Sequence, residues 1–305
     1  MKKYLFQAAD FYGASSLIFG YDSRPPCLRA TWCHGLGFAL KKNYDKRFVL
    51  HYNETHLPIH LVNNTETENN LADQNINAIA VGMPYIYTKN YNSKKNNTSF
   101  KRVYFPRHSI GNNQRSEYLR WKKIISKYNC DGISLTHIDY FDLKKSKYNL
   151  GDVKVIHGAK VDDPDSLERT ASILTSTKEL ITDNSSSHLV YAGASGAKVR
   201  IIDEVIDNYQ SNASSEGHKS IPKKFSEEYK KFYTGPKKSL EVLMSSAYST
   251  GNDLLIKEYS EYLLCIGSRK SIDKMREYLT PISFYENIRI LSMLLSNKIM
   301  RKIGI

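Results

Sequence analysis

The chain has 305 residues, with 44 Lys plus Arg against 31 Asp plus Glu, a formal net charge of +13. Hydrophobic residues at 41% and charged residues at 25% are ordinary for a globular protein. Wholesale disorder, a collagen-like chain and a disulfide-dense mini-protein are thereby excluded. The length fits two modest domains or one large one. The basic excess points to an anionic partner, either nucleic acid, phosphorylated small molecules or an anionic membrane surface.

The N-terminal MKKYLFQAADFYGASS carries two lysines and a short apolar stretch, broken by Gln7 and Asp10 and too short for a signal peptide. No stretch approaches the roughly 20 apolar residues of a membrane span, so a soluble or peripherally attached protein is expected. Strands are predicted at Lys3–Gln7, Leu28–Cys33, Arg47–Tyr52 and Ala78–Val81. Val62–Asn77 is rich in Asn and Thr and reads as a surface segment, and Lys89–Ser99 reads as an interdomain linker. Beyond it, Arg102–Phe105 is a strand ending at Pro106. Gln114–Tyr128 spaces Tyr118, Trp121, Ile124, Ile125 and Tyr128 on one helix face.

Gly132–Leu135 and Val153–Ile156 are the next strands. A helix capped by Asp165 or Ser166 follows, running to about Ser176. Glu179–Thr182 is a strand, Ser187–Ala194 a helix and Lys198–Ile202 a strand. Strands alternating with helices indicate parallel βαβ units. From about Ser226 the chain is mostly helical, and its last helix, Tyr285–Lys302, ends in Lys298, Arg301 and Lys302. The expected architecture is α/β, with two Rossmann-like domains facing a cleft and C-terminal helices. Its boundaries are 1–95, 96–215 and 216–305.

Cys27, Cys33, Cys130 and Cys265 form no CxxC pair, which argues against a zinc site of common spacing and for reduced cytoplasmic thiols. There is no GxxxxGK[ST] loop and no RNP-like, helix-turn-helix or zinc-finger pattern.

In such sheets ligands bind beyond the carboxyl ends of the strands, so the residues after each strand are the candidates. His34-Gly35 follows the second predicted strand and offers either a proton acceptor or a structural turn histidine. Arg107 and His108 follow Phe105-Pro106, and an Arg fork matches phosphate oxygens. His157-Gly158 repeats the His-Gly pair. Asp162, Asp163 and Asp165 admit two readings, a metal-binding DxD or a turn and helix cap, and Pro164 favours the cap. The strongest signal is Thr182-Asp183-Asn184-Ser185-Ser186-Ser187-His188, where a strand passes through a polar loop into a helix. Backbone N–H groups at that helix start, with the serine hydroxyls, make an anion site.

The segment ELITDNSSSHLVYAGASGAKVRII resembles the strand–Ser-Ser–helix–strand signature of two cytidine-nucleotide-using groups with the two-domain GT-B fold. One comprises the sialyltransferase-like and Kdo-transferase-like enzymes of capsule and O-antigen synthesis. The other comprises the CDP-glycerol or CDP-ribitol polyol-phosphate transferases. ATWCHGLGFALKK is similar to the Trp-His-Gly motif of the latter, with Cys33 inserted between Trp32 and His34, and RVYFPRHS resembles the strand opening the donor-binding half. SSSHLVYA looks closer to the capsule group.

The resemblance implies that Ser185, Ser186 and Ser187 bind a donor phosphate, assisted by His188, with Arg107 and His108 as further donor contacts. It implies His157 at the leaving nucleotide phosphate and His34 as general base for the acceptor hydroxyl, with no metal and no cofactor beyond the activated donor. The expected activity is transfer of a sugar, with a CMP-linked acidic sugar as donor, onto a cell-surface glycan or glycolipid. Polyol-phosphate transfer is the alternative. The expected location is cytoplasmic, with Lys298, Arg301 and Lys302 against the anionic inner face of the bacterial inner membrane. A basic nucleic-acid-binding protein and a non-catalytic membrane scaffold are the readings from other classes.

Overall fold

The computed structural model describes residues 8–20, 28–33, 57–91, 99–107, 114–183, 187–202 and 253–280. The predicted strands Lys3–Gln7 and Arg47–Tyr52, the middle of the predicted linker and the helix Tyr285–Lys302 lie outside them.

The fold is α/β, and among the described residues it holds two all-parallel sheets. A 3-10 turn, Ala8–Gly13, leads into the short helix α1 (Ser16–Phe19). Strands β1 (Ala30–Trp32), β2 (Ile59–Val62) and β3 (Ala78–Ala80) form the first sheet in the order β1-β2-β3. β2 is a strand that the sequence reading did not find. The segment following it lies mostly at the surface, as expected, but it holds a helix that the sequence reading did not find, α2 (Thr65–Ala72). Asn64 caps α2 by accepting from the Thr67 N–H at 2.7 Å. Its buried Thr67 and Leu71, four residues apart, make one narrow inward stripe on an otherwise polar helix.

The second sheet is built from β4 (Phe100–Phe105), β5 (Gly132–Leu135), β6 (Lys154–His157), β7 (Thr177–Thr182) and β8 (Lys198–Ile201). Their order is β6-β5-β4-β7-β8. The covering helices are α3 (Gln114–Tyr128), α4 (His137–Lys145), α5 (Ser166–Thr175) and α6 (Ser187–Ala194). α3 and α6 have the predicted bounds, whereas α4 was not foreseen. The predicted cap of α5 also needs correction: Asp165 makes no side-chain cap bond. Instead the Asp165 N–H donates to Asp163 Oδ1 at 3.1 Å, and the Lys160 N–H donates to Ser166 Oγ at 2.9 Å.

Successive residues of a strand point to opposite faces, and here both faces are covered. Val103 and Phe105 of β4, with Leu180 of β7, join one core, while Tyr104 and Ile181 between them join the other. The first core also takes in Trp32, Leu61, Met83 and Tyr85 from the N-terminal sheet region and Leu189 and Tyr191 from α6. Helices α7 (Asp253–Leu263) and α8 (Ile272–Tyr278) complete it. The Met83 N–H donates to the Leu264 carbonyl at 3.1 Å and the Arg29 N–H to the Thr280 carbonyl at 3.0 Å. The 253–280 segment therefore packs on both sheets' helices and loops. Among the described residues no helix is long and apolar enough to cross a membrane.

Candidate functional site

The second sheet grows outward from β4 through β5 to β6, then the chain crosses to β7 and β8 on β4's other side. The strand order reverses between β4 and β7, and a crevice opens at such a reversal, outside the carboxyl ends of the strands. β4 and β7 end level there, with Phe105 paired to Thr182. The chain leaves β4 as Pro106-Arg107 and leaves β7 as Asp183, four residues before α6 begins.

Asp183, with a fully buried side chain, ties the two exits together. The Tyr104 hydroxyl donates to its Oδ2 at 2.7 Å, the Arg107 N–H donates to its Oδ1 at 2.7 Å, and the Arg120 guanidinium of α3 pairs with it. Arg120 also donates from Nη1 to the Tyr104 hydroxyl oxygen at 3.2 Å and from Nε to Glu117 Oε2 at 3.0 Å. Arg107 reaches Glu117 Oε1 from Nη2 at 3.4 Å. Two carboxylates thus face two guanidinium groups, the condition under which buried charges are tolerated. Burial among these groups pushes the Tyr104 phenol up, so it stays a donor.

Of the predicted donor contacts, Arg107 stands at this reversal, and Ser187 and His188 open α6 beside it. The first turn of α6 has N–H groups without intrahelical acceptors, the general basis of anion binding at a helix start. The Ser187 side chain is hydrogen-bonded to the Tyr191 phenol. His188 is a tether: its ring stacks on Phe105 at 5.4 Å and its Nε2 lies 2.9 Å from Thr182 Oγ1. The Thr182 hydroxyl gives its proton to the Phe105 carbonyl at 2.7 Å, so His188 Nε2 is the donor in that pair. Ser185, Ser186, His108 and His34 lie outside the described residues.

His157 ends β6, on the far side of the sheet. Three strand spacings separate β6 from β7, about 14 Å at ~4.8 Å each. The structure therefore does not bring His157 together with the start of α6. Its neighbour is His137, which opens α4 after β5, with His137 Nδ1 2.9 Å from His157 Nε2. Tyr140 and Phe141 enclose His157 at ring distances of 4.8 and 5.8 Å. Arg169 donates from Nε to the His157 carbonyl and from Nη2 to the Gly158 carbonyl, each at 3.1 Å. Burial, then the Arg169 charge and His137, hold the His157 imidazole below its ordinary 6.5. It is thus mainly neutral at pH 7, suited to hydrogen bonding rather than to supplying positive charge.

Burial works to raise the Asp163 carboxyl, but its pairing with Arg169 and the bond from the Asp165 N–H outweigh that and leave it below the usual range, and Asp162 pairs with Lys160 at 3.0 Å. The aspartates thus form a turn, the reading that Pro164 favoured. Among the described residues no group of three or more His, Cys, Asp or Glu side chains is placed to hold a metal ion. Trp32 of the Trp-Cys-His-Gly stretch is a core residue, donating from Nε1 to the Gly82 carbonyl at 3.2 Å, and burial pushes the Cys33 thiol up to about 12.

The sequence reading missed Asp183 as a clamp, and Tyr104, Glu117, Arg120 and His137 altogether. His137 carried a signal, since it lies two residues beyond a strand that was found.

No protein-family model matches the sequence, and no curated protein matches it. Three solved structures are similar at low identity. A variant of S. aureus TarM, in complex with Fondaparinux, alpha-GlcNAc-glycerol and UDP, is 14% identical at a TM-score of 0.35, over 82% of this chain and 49% of that one. The pneumococcal O-GlcNAc transferase GtfA, in complex with UDP and GlcNAc, is 10% identical at a TM-score of 0.34, over 81% and 51%. The UDP-GlcNAc 2-epimerase of Methanocaldococcus jannaschii is 16% identical at a TM-score of 0.28, over 47% and 45%. The chain spans about half the length of the solved structures that it matches.

Proposed function

We propose that the chain transfers a sugar from a nucleotide-activated donor to a glycan acceptor, holding the donor phosphate at the β4/β7 reversal. The observation that carries this reading is Arg107, fixed by Asp183 at the end of β4, the strand end whose Phe105 stacks on His188 of α6. In the reaction the acceptor oxygen bonds to the anomeric carbon, the bond from that carbon to the phosphate oxygen breaks, and the acceptor proton passes to a base. The departing phosphate gains charge, and a guanidinium with helix N–H donors stabilises it. His34 is proposed as the base. His157, about three strands away, is given a hydrogen-bonding role towards a more distant part of the donor.

The resemblance at Thr182–His188 favours a CMP-linked acidic sugar as donor and a cell-surface glycan as acceptor. The polyol-phosphate alternative rests on ATWCHGLGFALKK. Peripheral binding to an anionic inner-membrane surface through Lys298, Arg301 and Lys302 belongs to the same reading.

The test is thermal stabilisation by CMP, CDP, UDP and GDP, followed by turnover assays with CMP-, CDP- and UDP-linked donors. A nucleotide at 100 times its dissociation constant stabilises by about 2.7 kcal/mol. Stabilisation by CMP or CDP that is lost in Arg107→Met supports the reading, and stabilisation by UDP alone reassigns the donor. No stabilisation and no turnover with any nucleotide sugar or CDP-polyol removes it.

A further inference from the structure

Two buried carboxylates meet Arg107, and they hold it in different ways. Asp183 holds the backbone N–H at 2.7 Å, and its other oxygen is shared by Tyr104 and Arg120. Glu117 holds the side chain, through one long contact at 3.4 Å, while its close bonds go to Arg120. The Arg107 side chain is only 13% exposed, and its Nε is buried with no hydrogen-bond partner among the described residues. A guanidinium has five N–H donors and prefers two parallel bonds to one oxyanion. Arg107 is thus an under-bonded cation on a fixed backbone, at a place where the sheet opens.

We propose that Glu117 and an anionic ligand compete for the Arg107 guanidinium, so that Glu117 sets the affinity of the crevice for phosphate while Asp183 positions the arginine. The inference deepens the proposed function and rests on it for the identity of the ligand, the phosphate of a cytidine or other nucleotide or of its sugar ester. The exchange gives up only the long contact, because Arg120 continues to neutralise Glu117. The two carboxylates therefore have opposite signs of effect. Neutralising Glu117 releases Arg107 and strengthens anion binding, and neutralising Asp183 misplaces Arg107 and weakens it. A purely structural network would weaken in both cases.

Calorimetric titration of the full chain with inorganic pyrophosphate, CMP, CDP and UDP tests this. The proteins compared are wild type, Glu117→Gln, Asp183→Asn and the double variant Glu117→Gln/Arg107→Met. Gln keeps an acceptor for Arg120. The expected gain in Glu117→Gln is about fivefold, the factor to which roughly 1 kcal/mol of ion pairing corresponds. The gain vanishes in the double variant, and Asp183→Asn binds more weakly. Glu117→Asp, which keeps the charge but retracts it from Arg107, moves in the same direction as Glu117→Gln and decides the matter if the latter does not fold. Unchanged or weaker pyrophosphate binding in a folded Glu117 variant overturns the inference, while CMP, CDP or UDP binding by wild type leaves a nucleotide-donor reading standing. A pyrophosphate gain without nucleotide binding supports the competition and overturns the donor reading. No binding of any of the four ligands by wild type or the Glu117 variants overturns both.

Discussion

His157 shows how a single residue changes meaning once its neighbours are known. The family resemblance implies that it neutralises or protonates a leaving phosphate. In the structure Arg169 and His137 disfavour a positive charge on it, Lys160 adds to that, and only Asp163 opposes them, with burial the largest influence. Its folded-state pKa is therefore lower than the unfolded value near 6.5. Between these two values the unfolded chain binds the extra proton, so stability rises with pH across that window and levels off above it. We expect an NMR titration of the His157 ring to have its midpoint below 6.5. We also expect His157→Gln to reduce the loss of stability between pH 6.5 and the acid side of that midpoint. A midpoint at or above 6.5 contradicts the geometry.

At the scale of elements, α6 presents its buried face to α7 through Gly193. A Cβ there would lie 2.0 Å from Ser260 Oγ and 2.9 Å from Ile256 Cγ2. Ala is the better helix former by about 1 kcal/mol, which works against the expected loss. Overpacking costs about 1–3 kcal/mol and should win, because both neighbours belong to the core side of α7. Gly193→Ala should therefore lower the urea midpoint with little change in m, and Ser260→Gly should restore part of it. A midpoint at or above that of wild type would mean that the two helices move apart freely.

The same scale explains what the sequence could reveal. α3 and α6 were legible because apolar residues recur at helical spacing in one and run continuously in the other. α2 and α4 were not, since Thr67 and Leu71 are the buried pair of one and Asp139 is the buried residue of the other. Such sparse burial leaves almost no periodic signal. Arg107 and Ser187 could be located because they follow strands. Asp183 acquires its role through pairing across up to 79 residues of sequence, and it is Asp183 that gives the local Glu117–Arg120 pair its place beside Arg107, which no local pattern encodes.

For the molecule as a whole, the question is whether the N-terminal sheet and the five-stranded sheet unfold separately. Their shared core argues for one unit. Tyr85 stacks on Tyr191 of α6 at 4.1 Å with rings 5° from parallel, and its hydroxyl lies 2.6 Å from Ser195 Oγ. The Tyr12 N–H donates to the Val161 carbonyl at 2.8 Å, bringing the N-terminal turn onto the loop after β6. Gly13 makes that docking possible. Its φ of +82° favours glycine, and a Cβ would lie 1.9 Å from the Pro164 carbonyl oxygen, a backbone atom that a rotamer change cannot move. Left-handed strain and overpacking together put the cost of Gly13→Ala at roughly 2–5 kcal/mol.

The two tryptophans offer separate reporters, since Trp32 lies in the core joining the two sheets and Trp121 in the core on the other face. Followed in Trp121→Phe and Trp32→Phe backgrounds, Gly13→Ala should lower the denaturation midpoint at both reporters by the same amount. A shift seen only by Trp32 would show that the N-terminal sheet is a separable unit. In that case the five-stranded sheet would stay folded without the N-terminal turn docked on the loop after β6.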